Sequence, residues 1–78
     1  MTRLVPMTYR QVIQRLRSAG FMFDRQAKGS HEICYNPTTK RRTTIPNHPG
    51  TLALDTLRAI IREAGLTVDD FYQSEEQK

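Results

Sequence analysis

The sequence predicts an α+β fold, a two-layer sandwich in the order α-β-β-β-α that ends in a short C-terminal helical turn. Three observations lead there. Residues 9–16 and 57–64 carry their apolar side chains at helical spacing, on one side only. Between them lie three short runs rich in aromatic and β-branched residues, each bounded by Gly, Pro, Asn or Thr. The connections between those runs are too short for a crossover, so the strands form an antiparallel meander.

The first helix opens at Thr8, an N-cap whose capping box closes on Gln11, with Met7 placed to staple against Val12. Tyr9, Val12, Ile13 and Leu16 make its apolar stripe, Arg10, Gln14 and Arg17 lie elsewhere on it, and Gly20 ends it as a left-handed residue. The strands are expected at Phe21–Gln26, His31–Tyr35 and Arg42–Ile45, the last stopped by Pro46, which has no N–H to give a ladder. Lys28-Gly29-Ser30 and Asn36 to Arg41 form the connecting turns. After the turn cluster Asn47-His48-Pro49-Gly50, Asp55 is expected to cap a second helix bearing Leu57, Ile60, Ile61 and Ala64, with Gly65 as its stop. Thr67 to Asp70 reads as another capping box, opening a turn of helix through Phe71 and Tyr72. Two one-sided helices and a three-stranded sheet bury themselves most simply with both helices on one sheet face and the other face open. That arrangement is similar to a double-stranded RNA-binding domain.

All 78 residues fit one domain, with an ordered core expected at about 6–73 and a polar tail at 74–78. The single cysteine, Cys34, forms no internal disulfide or zinc site by itself. No apolar run approaches the roughly 20 residues that span a bilayer, and the first residues lack a signal-peptide apolar region, so a reducing, cytoplasmic setting without membrane contact is expected. The net charge of +4 hides an asymmetry. Residues 1–62 hold eleven Lys and Arg against Asp24, Glu32 and Asp55, a net +8, whereas residues 63–78 carry a net −4. Such a field attracts polyanions and acidic partners alike, and also serves solubility.

The segments "FDRQAKGSHEICYNP", "RRTTIPNHPG" and "TLRAIIREAGLTVDDF" together resemble the HicA toxins of bacterial and archaeal toxin–antitoxin pairs over about residues 8 to 71. The Gly29-Ser30-His31 and Pro46-Asn47-His48 steps are the most telling. The resemblance implies a small ribonuclease that cleaves messenger RNA, with His31 as the catalytic residue and a HicB antitoxin as its inhibitor. It implies no direct work on DNA. The chain departs from the family pattern before the second helix, where Leu52-Ala53-Leu54-Asp55-Thr56-Leu57 lacks the usual lysine and with it one phosphate contact.

RNA brings its own nucleophile, the 2′-hydroxyl beside the scissile phosphate, so its cleavage needs proton transfer and charge stabilisation rather than a serine, a metal or another cofactor. An imidazole moves protons near neutral pH, which makes His31 the candidate general acid or base. Gly29 would let the backbone approach a phosphate, Lys28 would offset developing negative charge, and Ser30 would orient the ring. Lys40, Arg41 and Arg42 are candidate phosphate contacts, since guanidinium forks grip phosphate bidentately. His48 is a candidate for RNA contact or turn stabilisation, and Tyr35 for base stacking or core packing. Cys34 alternates away from His31, which disfavours a Cys–His dyad. From the residues alone, His31 reads first as an exposed polar strand-start residue, and the alternatives for the domain are a non-catalytic RNA-binding module of double-stranded RNA-binding-domain type or a protein-interaction module.

Overall fold

The computed structural model describes residues 4–47 and 49–76. Its elements are β1 (Met7–Thr8), α1 (Tyr9–Ser18), β2 (Met22–Gln26), β3 (His31–Asn36), β4 (Arg41–Pro46), β5 (Thr51–Leu52), α2 (Leu54–Glu63) and α3 (Val68–Glu76). The α-β-β-β-α order is therefore present, with β2, β3 and β4 forming one antiparallel sheet in that spatial order.

Local chemistry sets most boundaries. The Thr8 hydroxyl accepts from the Gln11 N–H while the Gln11 side chain accepts from the Thr8 N–H, a complete capping box. Both long helices end in the same paired bonds around a left-handed glycine. Phe21 N–H donates to Leu16 O and Gly20 N–H to Arg17 O; Leu66 N–H donates to Ile61 O and Gly65 N–H to Arg62 O. The Thr67–Asp70 box also forms, with bonds of 3.3 and 3.0 Å.

Burial alternates cleanly along the sheet. Cys34, Asn36, Thr43 and Ile45 are buried beneath the helices, whereas His31, Arg42 and Thr44 on the other face are exposed and Ile33, Tyr35 and Pro46 half-buried. Val12 and Leu16 of α1, Leu57, Ile60 and Ile61 of α2, and Phe71 of α3 complete the core. The whole of β2 is exposed, so the helical layer stops short of it.

Four features differ from the sequence expectation. Met7–Thr8 pairs with Thr51–Leu52 as a second, two-stranded sheet that ties the start of α1 to the entry of α2. Asp55 is not the cap of α2. The N-cap is Ala53, without a side-chain bond, and Asp55 sits in the first turn, where its charge suits the helix dipole. The C-terminal turn is a nine-residue helix whose backbone reaches Glu76, while the side chains of 73–78, which include the polar tail expected at 74–78, lie outside the described residues. Finally, Asn36 is more than a turn residue. Its buried amide donates to Ala19 O at 3.2 Å and its Oδ1 accepts from the N–H groups of Thr38 and Thr39, so it joins the β3–β4 turn to the end of α1.

Candidate active site

The Gly-Ser-His step and the Pro-Asn-His step are far apart in sequence and adjacent in space. His31 pairs with Pro46 in the β3–β4 register, and Asn47 N–H donates to Ser30 O at 2.9 Å, extending the ladder by one rung. The turn before His31 closes through Ala27 N–H to His31 O at 2.8 Å and through the Gln26 amide to Gly29 O at 3.3 Å. Gly29 has φ +67 with nothing within 4 Å of a Cβ built there. Its glycine thus answers to backbone conformation, and the space around it is open to a ligand.

The His31 imidazole stands on the uncovered sheet face, and no hydrogen bond among the described residues ties it down. It lines a shallow cleft of about 410 Å³ between β4 and α2, with Thr44 and Pro46 on one wall and Asp55, Thr56, Ala59 and Glu63 on the other. Glu63 is engaged in holding the walls together. Its Oε1 accepts from Thr44 N–H and from the Thr43 hydroxyl, both at 3.3 Å, so α2 seals the outer edge of β4.

Behind His31, on the covered face, Glu32 receives the Tyr9 hydroxyl on one carboxylate oxygen and the Asn47 amide, at 3.0 Å, on the other. Burial first, and the bond to Glu32 second, push the Tyr9 phenol up to about 12. This chain of bonds anchors the loop after β4 to α1. The sequence offers Tyr9 as a stripe residue and Asn47 as part of a motif, and none of Tyr9, Glu32 and Asn47 as a site candidate, yet an acid two positions from Cys34 on the covered face is a readable signal that a partner must face it.

Of the other sequence candidates, Lys28, Gly29 and Ser30 lie beside His31, whereas Lys40, Arg41 and Arg42 lie at the opposite end of β3, roughly 13 Å away for Arg42 and 17 Å for Arg41 at the usual strand rise. His48 lies outside the described residues. The neighbouring arginines part company. Arg41 turns to the covered side, where Nε donates to Glu63 O and Nη2 to Arg62 O, both at 3.2 Å, and caps the C-terminus of α2. Arg42 lies on the open face, 4.5 Å above the Tyr35 ring, with Nε 3.7 Å from Asp24. Lys40 holds φ +64 in the turn. Cys34 is buried, and burial pushes its thiol up to about 11, so it stays protonated and faces away from His31. Among the described residues no three His, Cys, Asp or Glu side chains gather as a metal site.

A family model described as the HicA toxin of bacterial toxin–antitoxin pairs matches residues 9–66. The chain belongs to the HicA toxin family. A search of curated proteins finds no match. As one half of a toxin–antitoxin pair, this HicA toxin has an antitoxin as partner. The matched span runs from α1 to just past α2 and includes both histidine-bearing steps, while β1 and α3 lie outside it. Even so, α3 contributes the fully buried Phe71 to the core. Among the described residues no helix is long and apolar enough to cross a membrane.

Proposed function

We propose that this HicA toxin is a metal-independent endoribonuclease that cleaves mRNA in the cytoplasm, with His31 as its proton-transfer group and the antitoxin as its restraint. The observation that carries the reading is the placement of the His31 imidazole, exposed at the mouth of the cleft and beside the open Gly29 backbone. In the proposed step the 2′-oxygen attacks the adjacent phosphorus, its proton passes to imidazole nitrogen, and the bond from phosphorus to the 5′-oxygen breaks. The leaving 5′-oxygen takes a proton from water, and the products are a 2′,3′-cyclic phosphate and a 5′-hydroxyl. If the ring acts as the acid, an imidazolium instead protonates the leaving 5′-oxygen and the 2′-hydroxyl proton passes to water. Either role of a positioned group is worth roughly 10²- to 10⁴-fold. Lys28, three residues before His31, supplies positive charge for the phosphorane.

The test is single-turnover cleavage of a defined RNA in excess chelator, with wild type and His31→Gln, alongside thermal melting. Because the side chain is exposed, melting should be nearly unchanged, while cleavage should slow by on the order of 10² or more. A folded His31→Gln protein that cuts at the wild-type rate removes His31 from the chemistry, and a wild type that binds RNA without cutting it returns the domain to an RNA-binding module. Activity lost in chelator and restored by a divalent ion overturns the metal-free mechanism.

A further inference from the structure

Resting on the nuclease reading, the geometry points to a further assignment: the stacked Arg42–Tyr35 pair on the open sheet face is a platform for an unpaired base, and the substrate is a single-stranded stretch of RNA running along that face from Arg42 to His31.

The face is organised in cross-strand rows. Met22, Tyr35 and Arg42 form the first, Arg25, Ile33 and Thr44 the second, and His31 with Pro46 the third. The first and third rows are four residues apart, about 13 Å, a distance that a few extended nucleotides cover. In the first row the Arg42 guanidinium is fixed from two sides, by the Tyr35 ring beneath it and by Asp24 at its edge, yet its side chain remains 56% accessible. A planar cation held 4.5 Å from a ring centroid, with more than half of its side chain open to solvent, offers a surface on which a base can stack. Met22, 55% exposed beside Tyr35, widens the apolar part of that surface. The charge suits the occupant. Among the described residues Arg25 and Arg42 lie on the face and Lys28 and Lys40 in the turns at its two ends, with Asp24 between them and Asp55 and Glu63 on the α2 wall of the His31 cleft as the acids. The covered-face acid, Glu32, is turned away into its bonds with Tyr9 and Asn47.

The choice of a single strand follows from the same residues. In a duplex the base faces are buried in the stack, so a π-platform has nothing to receive, and duplex binding instead grips phosphates across the grooves. The start of α2, Leu54-Asp55-Thr56-Leu57, carries an acid and no lysine cluster for such a grip.

The test uses a 2′-O-methyl oligonucleotide, which cannot be cut because its nucleophile is blocked, and a duplex of the same sequence. Affinities are measured over a range of salt for wild type, Arg42→Lys and Tyr35→Leu. Lysine keeps the charge but loses the plane. Both variants should bind the single strand roughly 5- to 100-fold more weakly, as expected for one stacked base. The salt slope of Arg42→Lys should stay at the wild-type value, because no phosphate neutralisation is lost. Wild-type affinity in a folded Arg42→Lys protein reduces Arg42 to a phosphate contact and overturns the platform. Equal losses on single strand and duplex overturn the single-strand assignment. Cleavage by wild type and His31→Gln, run in parallel, separates the two readings: His31-dependent cleavage with no platform effect sinks this inference alone, and a platform effect without His31-dependent cleavage sinks the nuclease alone.

Discussion

Neutralising Arg41 should unfold the protein more readily, whereas neutralising its neighbour Arg42 should weaken RNA binding. Arg41→Ala removes two hydrogen bonds of 3.2 Å from a charged donor to the last carbonyls of α2. Each such bond is worth about 0.5–1.5 kcal/mol net. The favourable placement of a cation at a helix C-terminus adds about 0.3–1 kcal/mol. For an exposed side chain the lower halves of both ranges apply, which gives a loss of roughly 1.5–2.5 kcal/mol. In a domain of this size each kcal/mol moves the melting temperature by about 4–8 °C, so the midpoint should fall by about 10 °C. Arg42→Ala loses an exposed cation–π contact of about 0.5–1 kcal/mol. Its ion pair at 3.7 Å adds little. Gly65→Ala approaches the same contact from the other side, because a Cβ there would stand 2.7 Å from Arg41 Nε at a backbone φ of +76. Circular dichroism melting and equilibrium RNA binding on the three variants decide the matter. If Arg41→Ala melts like wild type and loses as much RNA affinity as Arg42→Ala, the helix-capping role assigned to Arg41 is refuted.

The Tyr9 phenol, raised from 10.0 to about 12, is favoured in its protonated form by the fold, so its contribution is complete below pH 10 and disappears as pH climbs toward 12. The stability gap between wild type and Tyr9→Phe should therefore narrow across that window in denaturant titrations, and a constant gap would contradict the assignment. Cys34, buried with its thiol at about 11, should resist alkylation in the native protein at about pH 8 and react once denaturant unfolds it; labelling of the folded protein at a free-thiol rate would show the core open there. The antitoxin should cover the open sheet face and the His31 end through acidic side chains, seen as hydrogen-exchange protection of β3 and β4 and as affinity that falls with salt. Protection confined to α3 would place the partner elsewhere.

What could be read in the sequence was what short stretches decide for themselves. The Thr8–Gln11 box, the Thr67–Asp70 box and the two terminating glycines each depend on residues within one or two turns, and each is found where it was expected. The two-residue strands β1 and β5 have no periodicity to detect, and they exist only because the folded chain brings Met7 beside Leu52. Residue preference puts the cap at Asp55, but the cap and the helix start two residues earlier, once β5 delivers the chain at Ala53. Alternation separates Arg41 from Arg42, yet which of them meets a helix depends on where α2 settles, a long-range outcome that no local pattern holds. The candidate site divides in the same way. His31 and its turn were legible as a motif, whereas the Tyr9–Glu32–Asn47 bonds behind it link three distant segments.

The β3–β4 turn, residues 37–40, also behaves as a ruler. It lies at the far end of the hairpin from His31, but its length sets which residue of β4 comes opposite which residue of β3. One residue inserted there would slide β4 by a single step, send Arg42 and Thr44 under the helices, bring Thr43 and Ile45 out, and carry Asn47 away from Ser30. A change of length at that loop should therefore disrupt the sheet even though, of its residues, Lys40 alone has a part in the proposed RNA path, while the exposed side chains of Thr38 and Thr39 should tolerate substitution.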